Sequence, residues 1–182
     1  MSEYAGAGYD HIIPDGLDHI LFVLGLFLFS TRMRPLLWQV TMFTVAHTIT
    51  LALATTGLIE LPARVVEPLI ALSIAYVGIE NLWHRELHKS RLGLVFGFGL
   101  LHGLGFASML SDFGMPPNAF VSALISFNIG VELGQLAVIG LAYLTLGLWF
   151  GRQPYYRGLV VIPGSVVISA VGLYWTWERI SW

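Results

Sequence analysis

The stretch His11–Leu28, HIIPDGLDHILFVLGLFL, carries four ionisable side chains and then runs into an unbroken apolar segment. Those four, His11, Asp15, Asp18 and His19, are spaced i, i+4, i+7 and i+8. A helix beginning near Pro14 places Asp15, Asp18 and His19 on one face of its first turns. Proline suits a helix start, where its missing N–H is not needed. Aspartate in the first turn suits the positive end of the helix dipole. Polar groups leading straight into an apolar helix predict a membrane bundle organised around this face.

Composition agrees with that reading. The chain is 56% hydrophobic and only 11% charged, with a mean hydropathy of +0.75. Soluble domains carry about 25% charged residues. The expected class is therefore an all-α polytopic membrane bundle. With no cysteine there is neither a disulfide framework nor a thiolate metal site. A net charge of −2 without basic clusters argues against nucleic acid. The opening MSEYAGAGYD lacks the basic start of a signal peptide. It is expected either to be translocated unaided or to follow a leader or a larger N-terminal domain.

Six apolar segments approach or exceed the ~20 residues needed to span a bilayer. They fall at about 15–31, 35–57, 65–84, 92–111, 118–150 and 157–178, joined by short linkers, so residues 1–182 read as one transmembrane domain. The fifth, at about 30 residues, is long for one straight crossing. It is expected to tilt, to project, or to bend near Gly130 and Gly134. Seven of the nine Lys and Arg residues lie in the odd-numbered loops. By the positive-inside rule both termini face out, which is the periplasm for a bacterial inner membrane. The lipid bilayer is the first partner implied.

Ionisable groups inside a membrane are costly and mark functional sites by default. Here they are Asp18 and His19, His47, Glu67 and Glu80, His102, and Glu132. From the rise per residue, His47 lies ~18 Å and His102 ~15 Å along their helices, both near the midplane. Asn128, Glu132 and Gln135 follow at i, i+4 and i+7 on the fifth helix, and Asp18 and His19 enter from outside. Three imidazoles and several carboxylates in a dry place suggest a divalent metal, and without sulfur the set suits Zn, Ni or Co. Asp18 and Glu132 are candidates for ligands or for the groups that orient them. The alternative is that each histidine only hydrogen-bonds a neighbouring helix.

Smaller signals have plainer readings. The glycines of LLHGLGFASM, Gly97, Gly99, Gly103 and Gly105, are read as small-residue helix packing. Thr44, Thr48 and Thr55 can bond back to their own helix, although Thr48 also stands one residue from His47. Glu80, His84 and His88, at i, i+4 and i+8, form either a weak metal exit site or a solvated face.

Four motifs carry a family resemblance. They are His11-x-x-x-Asp15-Gly-Leu-Asp18-His19, Phe43-Thr-Val-Ala-His47-Thr-Ile-Thr-Leu, Leu101-His102-Gly-Leu-Gly-Phe-Ala, and Phe127-Asn128-x-Gly-Val-Glu132-Leu-Gly-Gln135. In this order, over nearly the whole chain, they resemble the HupE/UreJ family of hydrogenase and urease accessory proteins. The resemblance is closest to the branch often found as the C-terminal membrane part of longer bacterial proteins. It implies secondary transport of nickel or cobalt, with His11, Asp18 and His19 as the recognition site. Ile-Ile-Pro-Asp-Gly replaces the Pro-x-Ser-Gly of the better-known nickel permeases, which leaves the metal open among Ni, Co and Zn.

Two rival functions stay open on the residues alone. A transporter needs polar groups in both halves of its path. The inner half offers only Gln39, Thr41, Thr44 and Glu80. An outward-opening metalloenzyme could instead keep a Zn-like ion and hydrolyse a substrate, with Asp18 or Glu132 as general base. A non-transporting metal-binding subunit with a soluble accessory partner is the third reading. Small-residue faces would also permit a homo-oligomer.

Overall fold

A computed structural model describes residues 1–84, 88, 90–106 and 119–181. The fold is all-helical. A short α1 (Ser2–Asp10) precedes α2 (Leu17–Phe29), α3 (Met33–Thr55), α4 (Ala63–Trp83), α5 (Ser90–Gly105), α6 (Phe120–Ala142) and α7 (Ile162–Ile180). Among the described residues, four helical stretches are long and apolar enough to cross a membrane: α3, α4, Phe120–Phe150 and Arg157–Ile180. The apolar α2 is shorter. Residues 107–111 of the expected fourth segment lie outside the described residues. Arg179 near the end of α7 meets Asp18 at the start of α2, and this end of the bundle is called here the near end.

The central element is α2. From Asp18 onward every one of its residues is buried or half-buried. It touches α3, α4, α6 and α7. A helix that is apolar all round belongs in the middle of a bundle. The outer helices turn apolar side chains outward, among them Ile125, Ile129 and Leu133 on α6 and Val166, Val167 and Leu173 on α7. Those faces meet lipid.

Three helix pairs are closed by glycine. Gly99 and Gly103 of α5 lie against the carbonyls of Phe43 and His47 on α3. Gly78 of α4 and Gly172 of α7 set those two helices backbone to backbone. Gly8 of α1 faces the Phe127 carbonyl, and Gly130 of α6 faces the Ala5 carbonyl in return. Without a hydrophobic drive between helices in lipid, such close approach supplies the packing. Gly134 is likewise occupied, by the Ile12 side chain.

These contacts show what Gly130 and Gly134 do in the long fifth segment. Both glycines are spent on docking α1 and its following turn, and α6 continues through them. The helix loosens further on, in a wider π turn over Tyr143–Gly147, and carries on to Phe150.

A first prediction follows from the α1 contact. Gly8→Val drives a side chain into the Phe127 carbonyl and lowers stability by about 1–3 kcal/mol, the range for overpacking. Gly6→Val serves as the control, since a side chain there meets nothing within 4 Å. Thermal unfolding of the two variants in one detergent checks it.

Candidate metal centre

The site is built by a turn that folds α1 back over α2. The amide of His11 bonds the Ala7 carbonyl at 2.9 Å and ends α1. Bonds from Asp15 N to Asp10 O at 3.1 Å and from Gly16 N to Ile12 O at 3.2 Å then close the turn. Gly16 is needed there because a side chain would strike the His11 carbonyl. The helix starts at Leu17 rather than near Pro14. His11 therefore reaches His19 through this turn rather than along one helix face.

Four imidazoles meet as a result. The His11 and His19 ring centres stand 4.6 Å apart, and each is 5.8 Å from His47. His102 stands 4.8 Å from His19 on the other side. Nitrogens of His11, His19 and His47 all lie within 4.8 Å of one another. Two imidazoles on one tetrahedral ion hold their nitrogens about 3.4 Å apart, given metal–nitrogen bonds of about 2.0–2.1 Å. The nitrogens thus stand up to about 1.4 Å farther apart than a ligating geometry needs.

The free nitrogens matter most. His11 Nε2, His19 Nε2, His47 Nε2 and His102 Nδ1 are buried with no hydrogen-bond partner among the described residues. Buried polar atoms are nearly always paired, so these call for a partner, and His11, His19 and His47 are close enough to share one. For His47 the free nitrogen is also defined chemically. Its Nδ1 lies 3.3 Å from Asn128 Oδ1, while Asn128 Nδ2 donates to the Leu124 carbonyl at 2.9 Å. The amide is therefore oriented with its oxygen toward the ring. His47 Nδ1–H donates to it, and Nε2 keeps its lone pair.

Aromatic rings enclose the cluster. The Phe106 ring lies tilted with its centre 3.8 Å from that of His11, and Phe43 lies 5.0 Å from His102. Toward the near end a cavity of about 720 Å³ opens from His11, His19 and His102, with Asp10, Asp15 and Asp18 on its wall. Toward the far end the bundle is filled by Phe22, Val23, Leu26, Phe27, Phe43 and Val95. Beyond that layer Arg91 is 2% exposed and pairs with Glu80 at 2.6 Å. Its guanidinium also donates to Gln39 at 3.0 Å and Asn81 at 3.3 Å, and lies 4.1 Å over the Phe29 ring.

The candidates from sequence thus divide. His11, His19, His47 and His102 come together, and Asn128 orients His47. Asp18 lines the cavity but is held by Arg179, with bonds of 3.0 and 3.1 Å. Asp15 is exposed on the same wall. Glu132 accepts from Thr41 at 2.7 Å and Gln135 accepts from Thr44 at 3.0 Å, both along the α3–α6 seam. Thr48 bonds back to the Thr44 carbonyl at 2.7 Å. Glu80 is at the far end with Arg91. His84 and His88 remain near each other there, their rings 5.5 Å apart.

Sequence reasoning missed Ser73, whose hydroxyl lies 3.0 Å from His102 Nε2. It is one small polar residue among several in α4, and nothing in its spacing marks it. It missed Arg179 as the partner of Asp18 because the two stand 161 positions apart.

No match was found among curated proteins or among solved structures. The family model described as HupE / UreJ protein matches residues 1–179. With four motifs in order and their histidines gathered in one place, the chain belongs to the HupE/UreJ family.

Proposed function

We propose that this protein is a secondary permease for a divalent transition metal of the nickel or cobalt type, in a bacterial inner membrane with both termini in the periplasm. His11, His19 and His47 form its recognition site. The observation that carries the reading is the set of four imidazole nitrogens without a partner among the described residues, on His11, His19 and His102 at the floor of the cavity and on His47 buried behind them. Neutral imidazole suits these metals, and the orienting amide of Asn128 is the usual kind of support for a ligating ring. The ion enters from the near end, where aspartates line the way. The aromatic layer and the Arg91 network close the other end, so release requires that closure to part.

The hydrolase reading fares less well. It needs a carboxylate free to act as general base beside the metal. Asp18 is engaged by Arg179, and Glu132, although its Oε2 has no partner among the described residues, sits with Thr41 on the α3–α6 seam and not on the cavity wall.

Equilibrium dialysis of detergent-purified protein against nickel or cobalt chloride tests the proposal, followed by uptake into proteoliposomes. The expected result is weak, exchangeable binding together with uptake. Absence of binding under any condition removes the metal reading. Metal that stays bound through a mild chelator and is not taken up favours an enzyme or a structural site instead.

A further inference from the structure

We infer that Ser73 is a positioning residue of the metal site: it holds His102 in one tautomer and so presents Nδ1 of that ring as a fourth metal-binding nitrogen beside His19. The inference deepens the function proposed above and rests on it.

The argument is one of hydrogen counting. Ser73 is 1% exposed on α4, and its Oγ lies 2.7 Å from the Ile70 carbonyl. A carbonyl oxygen can only accept, so at that distance the single hydroxyl hydrogen must lie between the two oxygens. The Ser73 oxygen then has only lone pairs left to offer. His102 Nε2 stands 3.0 Å from it. Two lone pairs facing each other would repel, so Nε2 must carry the ring hydrogen and donate it. A neutral imidazole has one N–H. His102 Nδ1 is consequently bare, and it is buried without a partner among the described residues.

The same logic fixes His47 from the opposite side, through a different nitrogen. Asn128 on α6 takes the Nδ1 hydrogen of His47 and frees Nε2. Ser73 on α4 takes the Nε2 hydrogen of His102 and frees Nδ1. Asn128 on α6 and Ser73 on α4 thus each leave one lone pair free on the ring they hold. His102 lines the cavity and stands 4.8 Å from His19, whereas His47 is fully buried. The ring held by Ser73 is therefore among those an incoming ion meets at the cavity floor.

A serine that only tied α4 to α5 would predict a stability effect and nothing more. The test separates the two roles with nitrogen NMR of protein labelled with ¹⁵N-histidine, measured without metal, and with nickel chloride titration. The His102 ring is assigned by its loss in His102→Gln. In the wild type it should show a protonated Nε2 and a bare Nδ1. Ser73→Ala should mix the tautomers and weaken nickel binding by roughly 10–100-fold, the range for removing a partner that orients a ligand. Ser73→Thr, which keeps the hydroxyl, should restore both. A wild-type ring protonated at Nδ1 overturns the inference without any variant. Wild-type nickel affinity in a folded Ser73→Ala also overturns it. No nickel binding by the wild type sinks the permease proposal, and the NMR result then still decides what Ser73 does to His102.

Discussion

If the protein is the proposed permease, His47→Ala should remove nickel or cobalt binding from the purified protein and uptake from proteoliposomes, while Asn128→Ala should weaken both by roughly 10–100-fold. The difference in size comes from their roles. His47 is fully buried, and its Nε2 has no partner among the described residues. Removing it deletes a ligand. Removing Asn128 leaves the ligand in place but lets the ring turn and lets its hydrogen move to Nε2. Binding in the wild type should also weaken as pH falls, because protons compete with the metal for the same imidazole lone pairs. Isothermal titration of the three proteins at two pH values measures all of this. Equal affinity in wild type and His47→Ala would remove His47 from the site.

What the sequence reveals of this fold is the part governed by local physics. Apolar length marks the spans, and polar groups inside those spans mark the helices that build the site. His19, His47 and His102 could be read as one cluster because each is an isolated imidazole in an apolar helix. What it hides depends on rotation and on distant partners. Asp18 and His19 are neighbours in sequence, yet successive residues on a helix point about 100° apart. His19 faces the cluster, and Asp18 faces α7, where Arg179 is waiting.

The α6 motif shows the same limit. Relative to Asn128, a helix turns Glu132 by about 40° one way and Gln135 by about 20° the other. That is enough to leave Glu132 half-buried beside Thr41 while Gln135 is fully buried beside Thr44. The short α1 is hidden for another reason. Its sequence, SEYAGAGYD, is small and only weakly apolar, and it forms a docked helix because Gly8 and Gly130 let two backbones touch. Contacts between residues 119 and 125 positions apart leave no trace in local pattern.

Arg91→Met should destabilise the protein by about 3–5 kcal/mol, because it leaves the Glu80 carboxylate buried without its cation. The side chains of the pair are only 2% and 12% exposed, so solvent screens little of the effect. The double variant Arg91→Met with Glu80→Gln should recover most of that loss, since replacing both partners removes the uncompensated charge. Thermal unfolding in detergent compares the three. The network also joins α2, α3, α4 and α5 at the end away from the cavity, through Phe29, Gln39, Glu80 and Asn81. If it is the closure that a permease must part, breaking it should open that end specifically. The chain has no cysteine, so Val95→Cys, one turn from Arg91 and 1% exposed in the native residue, reports opening on a silent background. A water-soluble maleimide should label it slowly beside native Arg91 and about tenfold faster or more beside Arg91→Met, since about 1.4 kcal/mol corresponds to a factor of ten. Faster labelling that persists in the stability-recovered double variant assigns the effect to the closure. Labelling that returns to the slow rate with stability assigns it to general loosening, and the network is then a structural brace alone.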